Sequence, residues 1–449
     1  MKYLENIKKN DERIGAFISI NENIENEFEK QKNVKPLNGM VFAIKDNINV
    51  KGMETTCGSK ILKGYVSSYD ATVIKKLRKS GATFIGKTNL DEFAMGSSTE
   101  NSAFFTTRNP YDLERVAGGS SGGSAAALAA NFADIALGSD TGGSVRQPAS
   151  FCNLFGYKPT YGTLSRFGLV AFSSSLDQVG IISKNIDDIA KTFPIMAGKD
   201  PKDSTSLEFN TNNLKDLINT KKEMKIGLIK NITNGAKSDV KESYEKTINT
   251  LEKLGYSFEE ISMDSLKYSV EIYYIVAPSE ASSNLLRFDG IRYGKREDSE
   301  DLKELYTKVR TKGFGKEVKR RILTGIFALS SGYYDKYFGL AMKGREKITK
   351  DLNCAFEKFD AILTPTVPFP AFEVGELISD PLSLYLADIY TIPANLAGIP
   401  AISFPSYSSK NGLPIGMQLL SKRFDDWKIL NISKQFSQET GFRNLTTKL

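Results

Sequence analysis

The chain has 449 residues, 40% of them hydrophobic and 25% charged, with 60 Lys plus Arg against 53 Asp plus Glu and no histidine. Lacking imidazole, it has no Ser-His-Asp triad, no Cys-His nucleophile pair and no histidine-ligated zinc, so acid/base chemistry must run on Lys, Asp, Glu, Tyr, Ser or Cys. A net charge of +7 is modest for this length and does not mark a dedicated nucleic-acid binder, whose basic residues would cluster on one face.

Three cysteines, Cys57, Cys152 and Cys354, are too scattered for a C-x-x-C clip and too few for a disulfide scaffold, which points to a reducing compartment. Residues 1–35 are densely charged with no apolar core segment, and no window approaches a membrane span, so a cytoplasmic protein with no membrane partner is expected.

In chain order, residues 40–44 read as a strand, 71–80 as an amphipathic helix, 82–86 as a strand, 124–132 as an alanine-rich helix and 133–137 as a strand feeding Gly138. Residues 200–217 read as a flexible surface segment. Strand, helix and strand follow at 225–229, 239–254 and 256–261, and 301–356 is mostly helical. Strands return at 361–363, 401–404 and 415–420, before a final helix at 425–438. This alternation predicts an α/β fold, and the absence of a Pro/Gly/Ser linker predicts one domain over residues 1–449.

Residues 81–88 fit the phosphate-loop pattern G-x-x-x-x-G-K-[ST], but their context contradicts it. A phosphate loop follows a strand and opens a helix, whereas here a helix precedes and the middle residues are themselves strand-like. A nucleotide-binding module built on this segment is the reading from a different functional class.

More informative are two glycine-rich loops, Gly118-Gly-Ser-Ser-Gly-Gly-Ser124 and Gly138-Ser-Asp-Thr-Gly-Gly-Ser144, joined by an apolar helix and strand. Glycines let the backbone approach a ligand and expose successive N–H groups, as an oxyanion hole or a phosphate cradle requires. The ordered segment between the loops argues against a flexible linker. Serines beside an oxyanion hole need a base, and without histidine a buried lysine of lowered pKa can serve. Lys45, at the end of the apolar run 40–44, is the candidate by position.

Lys45 within Ala-Ile-Lys-Asp-Asn, the Gly-Gly-Ser-Ser-Gly-Gly-Ser loop and Gly-Ser-Asp-Thr-Gly-Gly-Ser-Val-Arg-Gln-Pro-Ala together resemble the amidase signature family. Residues 86–100, 156–162, 171–178 and 287–294 resemble its GatA branch, found in the glutamyl-tRNA(Gln) amidotransferases, with similarity from about residue 15 onward. Relatives usually carry a further N-terminal helical segment, of which residues 3–13 remain here.

The resemblance implies the amidase signature fold, a central mixed β-sheet covered by helices on both faces, with a signature core at 115–180. It implies Ser144 as nucleophile, Ser120 as relay and Lys45 as neutral base, with an oxyanion hole from the N–H groups of Thr141, Gly142, Gly143 and Ser144. Ser121 and Ser124 are rivals for the relay, and Asp140 and Arg146 read as supports. Free glutamine offers a carboxylate suited to a forked arginine and an ammonium suited to an acid. The branch pattern places Arg321 and Asp388 there, with Tyr273 as a further pocket residue.

The implied activity is glutamine hydrolysis supplying ammonia to convert Glu-tRNA(Gln) to Gln-tRNA(Gln), with Asp-tRNA(Asn) as a second candidate acceptor. Partners implied are GatB and GatC, with the misacylated tRNA reached through the complex. ATP and magnesium belong to GatB, and no cofactor or metal is expected in this chain. A standalone amidase acting on small amides is the rival; it would share Lys45, Ser120 and Ser144 without needing Arg321 and Asp388.

Overall fold

A computed structural model of the chain describes residues 1–220, 223–377, 381–441 and 447, without the side chains of 381–383. Its strands are β1 (Phe17–Ile20), β2 (Val41–Lys45), β3 (Thr83–Thr88), β4 (Arg108–Asn109), β5 (Asp112–Val116), β6 (Ile135–Asp140), β7 (Phe155–Lys158) and β8 (Gln178–Ser183). They continue with β9 (Lys225–Ile229), β10 (Ser257–Ile261), β11 (Ala361–Pro365), β12 (Ala401–Pro405) and β13 (Gly416–Leu420). Strands β4 and β5 form a ribbon; the other eleven make one sheet in the order β1-β3-β2-β6-β8-β7-β12-β13-β11-β9-β10.

The sheet is mixed. Strand β2 runs parallel to β3 and β6, and β9 runs parallel to β10 and β11, while the remaining pairs are antiparallel. Strand β2, Val-Phe-Ala-Ile-Lys, is buried throughout, as a parallel strand covered on both faces must be. Alternate residues divide between the two faces. Phe42 and Ile44 enter a core with Ile74, Leu77, Phe193 and Ile429, whereas Val41 and Ala43 pack with Ala125, Leu128 and Phe132. Helices therefore cover both faces, as the α/β expectation requires. Helices Ser269–Asn284, Lys316–Leu329 and Leu340–Ala355 build a further core around Tyr273, Val276, Val318 and Ile348.

Several expectations shift on contact with tertiary packing. Lys45 is the last residue of β2 rather than the residue after it. The alanine-rich helix begins at Gly122, not residue 124. Residues 200–217, expected as a flexible surface segment, are tied down at their start: Asp200 accepts hydrogen bonds from Ser165 Oγ (2.6 Å) and Thr72 Oγ1 (2.5 Å), and Asp203 from the Arg166 amide (2.8 Å). Within the phosphate-loop pattern, Thr83–Thr88 is a buried strand. Its Lys87 is paired with Asp46 at 2.9 Å, with no side exposed for phosphate.

Candidate active site

Strands β2, β3 and β6 run in one direction and end together, at Lys45, Thr88 and Asp140. Sheet register thus brings Lys45 to the foot of both glycine-rich loops. Its Nζ lies 2.7 Å from Ser120 Oγ, 2.9 Å from Ser139 Oγ and 3.3 Å from the Ser139 carbonyl oxygen. Lys45 has no solvent exposure, and burial pulls its pKa down to about 7 against the opposing pull of Asp91, Asp140 and Asp177. A buried ammonium with no carboxylate in contact is costly, so the neutral amine is accessible at neutral pH.

The rival serines face elsewhere. Ser121 Oγ donates to the Ser139 carbonyl (3.3 Å), and Ser124 Oγ to that of Leu137 (3.0 Å) while pairing with Thr88 Oγ1. Ser144 is 9% exposed, against none for Ser120, and its carbonyl accepts the Ser121 amide at 3.1 Å, which locks the two loops together. Among the described residues no hydrogen bond joins the Ser120 and Ser144 hydroxyls. The Gly119–Ser120 peptide bond is cis.

The loop before Ser144 is shaped by Asp140. Its carboxylate accepts the amides of Gly143 (3.0 Å) and Val145 (3.2 Å) and a forked pair of contacts from Arg146 (3.0 and 2.9 Å). Burial opposes its charge, but Arg146 holds the carboxyl well below the usual carboxylate range. Arg146 also reaches the Thr391 carbonyl, Gln418 and Asn395, so the loop is fastened to β13 and to the chain near 391–395. Gly143 has φ of 136°, and a side chain there would strike the Thr391 hydroxyl. Of the four expected oxyanion donors, Gly143 is thus turned onto Asp140. Among the described residues no hydrogen bond engages the amides of Thr141, Gly142 or Ser144.

Arg321, Asp388 and Tyr273 converge beside this loop. The Tyr273 ring sits against Gly142, where an added Cβ would lie 2.8 Å from its Cζ. Arg321 is 4% exposed, bonded through Nε to Glu317 (2.7 Å) and enclosed by the rings of Phe172, Tyr274 and Tyr385. Asp388 is 6% exposed and accepts from Ser97 Oγ at 2.6 Å. Burial raises its pKa to about 7, with the Ser97 bond and Arg321 pulling the other way.

Sequence reasoning assigned no role to Ser139, which takes the remaining Lys45 contacts, or to Asn47, which donates to Ser139 Oγ at 2.9 Å. It also missed Asp91, which accepts the amides of Ser98, Thr99 and Asn101 behind Gly119. Ser97 and Gln147 were missed as well. Asp91 and Ser97 lie inside the distinctive stretch 86–100, and Gln147 follows the second loop; those positions were the available signal.

The fold and this histidine-free serine-lysine site define an amidase. The amidase family profile matches residues 1–430, and the chain belongs to that family. It is 54% identical over 417 residues to the GatA protein of the Carboxydothermus hydrogenoformans glutamyl-tRNA(Gln) amidotransferase, covering 92% of this chain and 86% of that one. Identity to the Thermotoga maritima GatA protein is 51% over 440 residues, covering 98% and 91%. A crystal structure of the Thermotoga maritima GatA protein superposes with a TM-score of 0.81 at 47% identity, covering 98% of this chain and 90% of that one. Within the amidase family the chain falls in the GatA group of the glutamyl-tRNA(Gln) amidotransferases.

Proposed function

We propose that the chain is the glutamine-hydrolysing component of a tRNA-dependent amidotransferase. It releases ammonia for the conversion of Glu-tRNA(Gln), and in a second candidate reaction of Asp-tRNA(Asn), in an assembly with GatB and GatC. ATP and magnesium are handled on GatB, and this chain needs neither. The observation that carries the chemistry is the buried Lys45 amine 2.7 Å from Ser120 Oγ. A neutral amine has two N–H groups and one lone pair. Ser139 Oγ and the Ser139 carbonyl can take the two N–H groups, which leaves the lone pair for the Ser120 hydroxyl.

Ser144 Oγ attacks the carboxamide carbon, its proton passes to Ser120 Oγ, and the Ser120 proton passes to Lys45 Nζ. The oxyanion that forms is met by the amides of Thr141, Gly142 and Ser144, preorganised by Asp140. Collapse breaks the C–N bond, and the proton returns from Lys45 through Ser120 to the leaving nitrogen, which departs as ammonia. Water then cleaves the glutamyl ester on Ser144 by the same relay and releases glutamate.

Arg321 and Asp388 distinguish this reading from a generic amidase, because they match the two charges of free glutamine. Exposed apolar side chains at Leu323, Ile326, Phe327, Tyr333, Tyr334 and Leu340 further support a chain that works inside an assembly.

Removing Arg321 or Asp388 leaves a substrate charge unpaired, at about 1.5–3 kcal/mol for a charge-assisted contact. Arg321→Ala and Asp388→Ala should therefore raise the glutamine requirement roughly 10- to 150-fold. Supplied ammonia enters after this pocket, so ammonia-dependent amidation of Glu-tRNA(Gln) by the complex should survive. Equal loss with both nitrogen donors, or no loss with glutamine, would defeat the proposal.

A further inference from the structure

The carboxylate meant for the glutamine ammonium is not held by its own segment. Asp388 Oδ2 accepts from Ser97 Oγ at 2.6 Å, across the fold from a loop nearly three hundred residues earlier in the chain. Among the described residues nothing hydrogen-bonds the other oxygen, Oδ1, which leaves it for a ligand.

Ser97 is itself fastened at its backbone. Its carbonyl accepts from Gln147 Nε2 (2.7 Å), and Gln147 Oε1 accepts the amide of Gly119 (2.9 Å), the residue before Ser120. The residues after Ser97 are pinned by Asp91, which takes the Thr99 amide at 2.8 Å. A Cβ on Gly96 would run into the Asp91 carboxylate, so the loop has no slack on that side. Ser97 thus holds the Asp388 carboxylate with its hydroxyl and is itself tied, through its carbonyl and Gln147, to Gly119 beside Ser120.

We propose that Ser97 is a specificity-determining positioning residue, which fixes the Asp388 carboxylate so that the site prefers amides bearing an α-ammonium over otherwise identical amides lacking one. The inference rests on the proposed glutamine reading of Asp388. Its physical basis is that a hydroxyl donor stabilises the ionised carboxylate inside a desolvated pocket and fixes which oxygen faces the substrate. Without it Asp388 favours the protonated, uncharged form and can rotate, so the ammonium loses its partner. A substrate without an ammonium loses nothing by either change.

The experiment compares glutamine with glutaramate, which is glutamine without its α-amino group, on the full chain co-expressed with GatB and GatC. The readout is the ratio of kcat/KM for glutamine to that for glutaramate. Ser97→Ala should lower this ratio about tenfold, mostly through the KM for glutamine, the size of one lost hydrogen bond to a charged group. Ser97→Thr, which keeps the hydroxyl, should restore it. In an Asp388→Asn background, Ser97→Ala should leave the ratio where Asp388→Asn alone puts it.

Equal losses on both substrates would make Ser97 merely structural and overturn the proposal, as would an unchanged ratio. If Asp388→Asn itself leaves the ratio unchanged, the glutamine reading of Asp388 fails first and takes this inference with it.

Discussion

An amine stripped of water gives up its proton far more readily than one in solution, and burial lowers the Lys45 pKa from 10.5 to about 7. Guanidinium does not deprotonate in proteins. Lys45→Arg should therefore lose glutaminase activity nearly as completely as Lys45→Ala, with ammonia release as the measurement; substantial activity in the arginine variant would make Lys45 an electrostatic support and not the base.

The pH profile follows from the same group. In the proposed mechanism Lys45 must be neutral to accept a proton and Asp388 ionised to bind an ammonium; both conditions improve as pH rises through about 7. The glutamine kcat/KM should climb across neutrality, more steeply than for an amide without an ammonium, where Lys45 acts alone. A profile that falls from pH 6 to 8 would contradict both assignments.

At the scale of elements, the loop that carries Ser144 depends on one buried ion pair. Arg146 and Asp140 are both fully buried, and the arginine's remaining contacts hold Thr391, Asn395 and Gln418. Deleting one partner of a buried pair strands the other charge, at roughly 3–5 kcal/mol. Arg146→Met should therefore lower the urea midpoint markedly, and Arg146→Lys should recover little, because an ammonium cannot reproduce the fork. Unfolding curves that match the unaltered protein would show the loop to be held some other way.

Elements also show what a sequence conceals. Strand β2 was visible because residues 40–44 form an apolar run ending at Lys45, and the glycine-rich loops because their composition is unusual. Strands β7 and β8 were not read from the sequence: each is short and interrupted by a glycine, Gly156 or Gly180, placed where neighbouring chain packs too closely for a side chain. Helix Ser269–Asn284, which carries Tyr273, is buried on several sides and contains Pro278, so it has no amphipathic stripe to betray it. The site shows the same division. Lys45 and the loop serines were legible as residue types in a pattern, whereas Ser97 and Gln147 matter through contacts that only the folded chain brings together.

Across the whole molecule, sequence order and spatial order part company. Strands β12, β13 and β11, from residues 361–420, lie between β7 and β9, so late chain is threaded into the middle of a sheet begun by early chain. Local periodicity identifies such strands but not their neighbours, which is why the expected α/β class was right while the strand order was not readable.

That threading bears on how the protein is made. Gln418, on β13, accepts from Arg146 Nη1 at 2.6 Å and donates to the Tyr390 carbonyl at 2.9 Å, so one of the last strands to leave the ribosome completes the scaffold of the loop that carries Ser144. The residues of β2, β3 and β6, with Lys45 and both serines, are synthesised long before that, without the clasp that shapes the loop. Ribosome-bound chains of increasing length should gain glutaminase activity only once β13 has emerged, and in a cell this order would keep an unfinished copy from releasing ammonia with no acceptor to receive it.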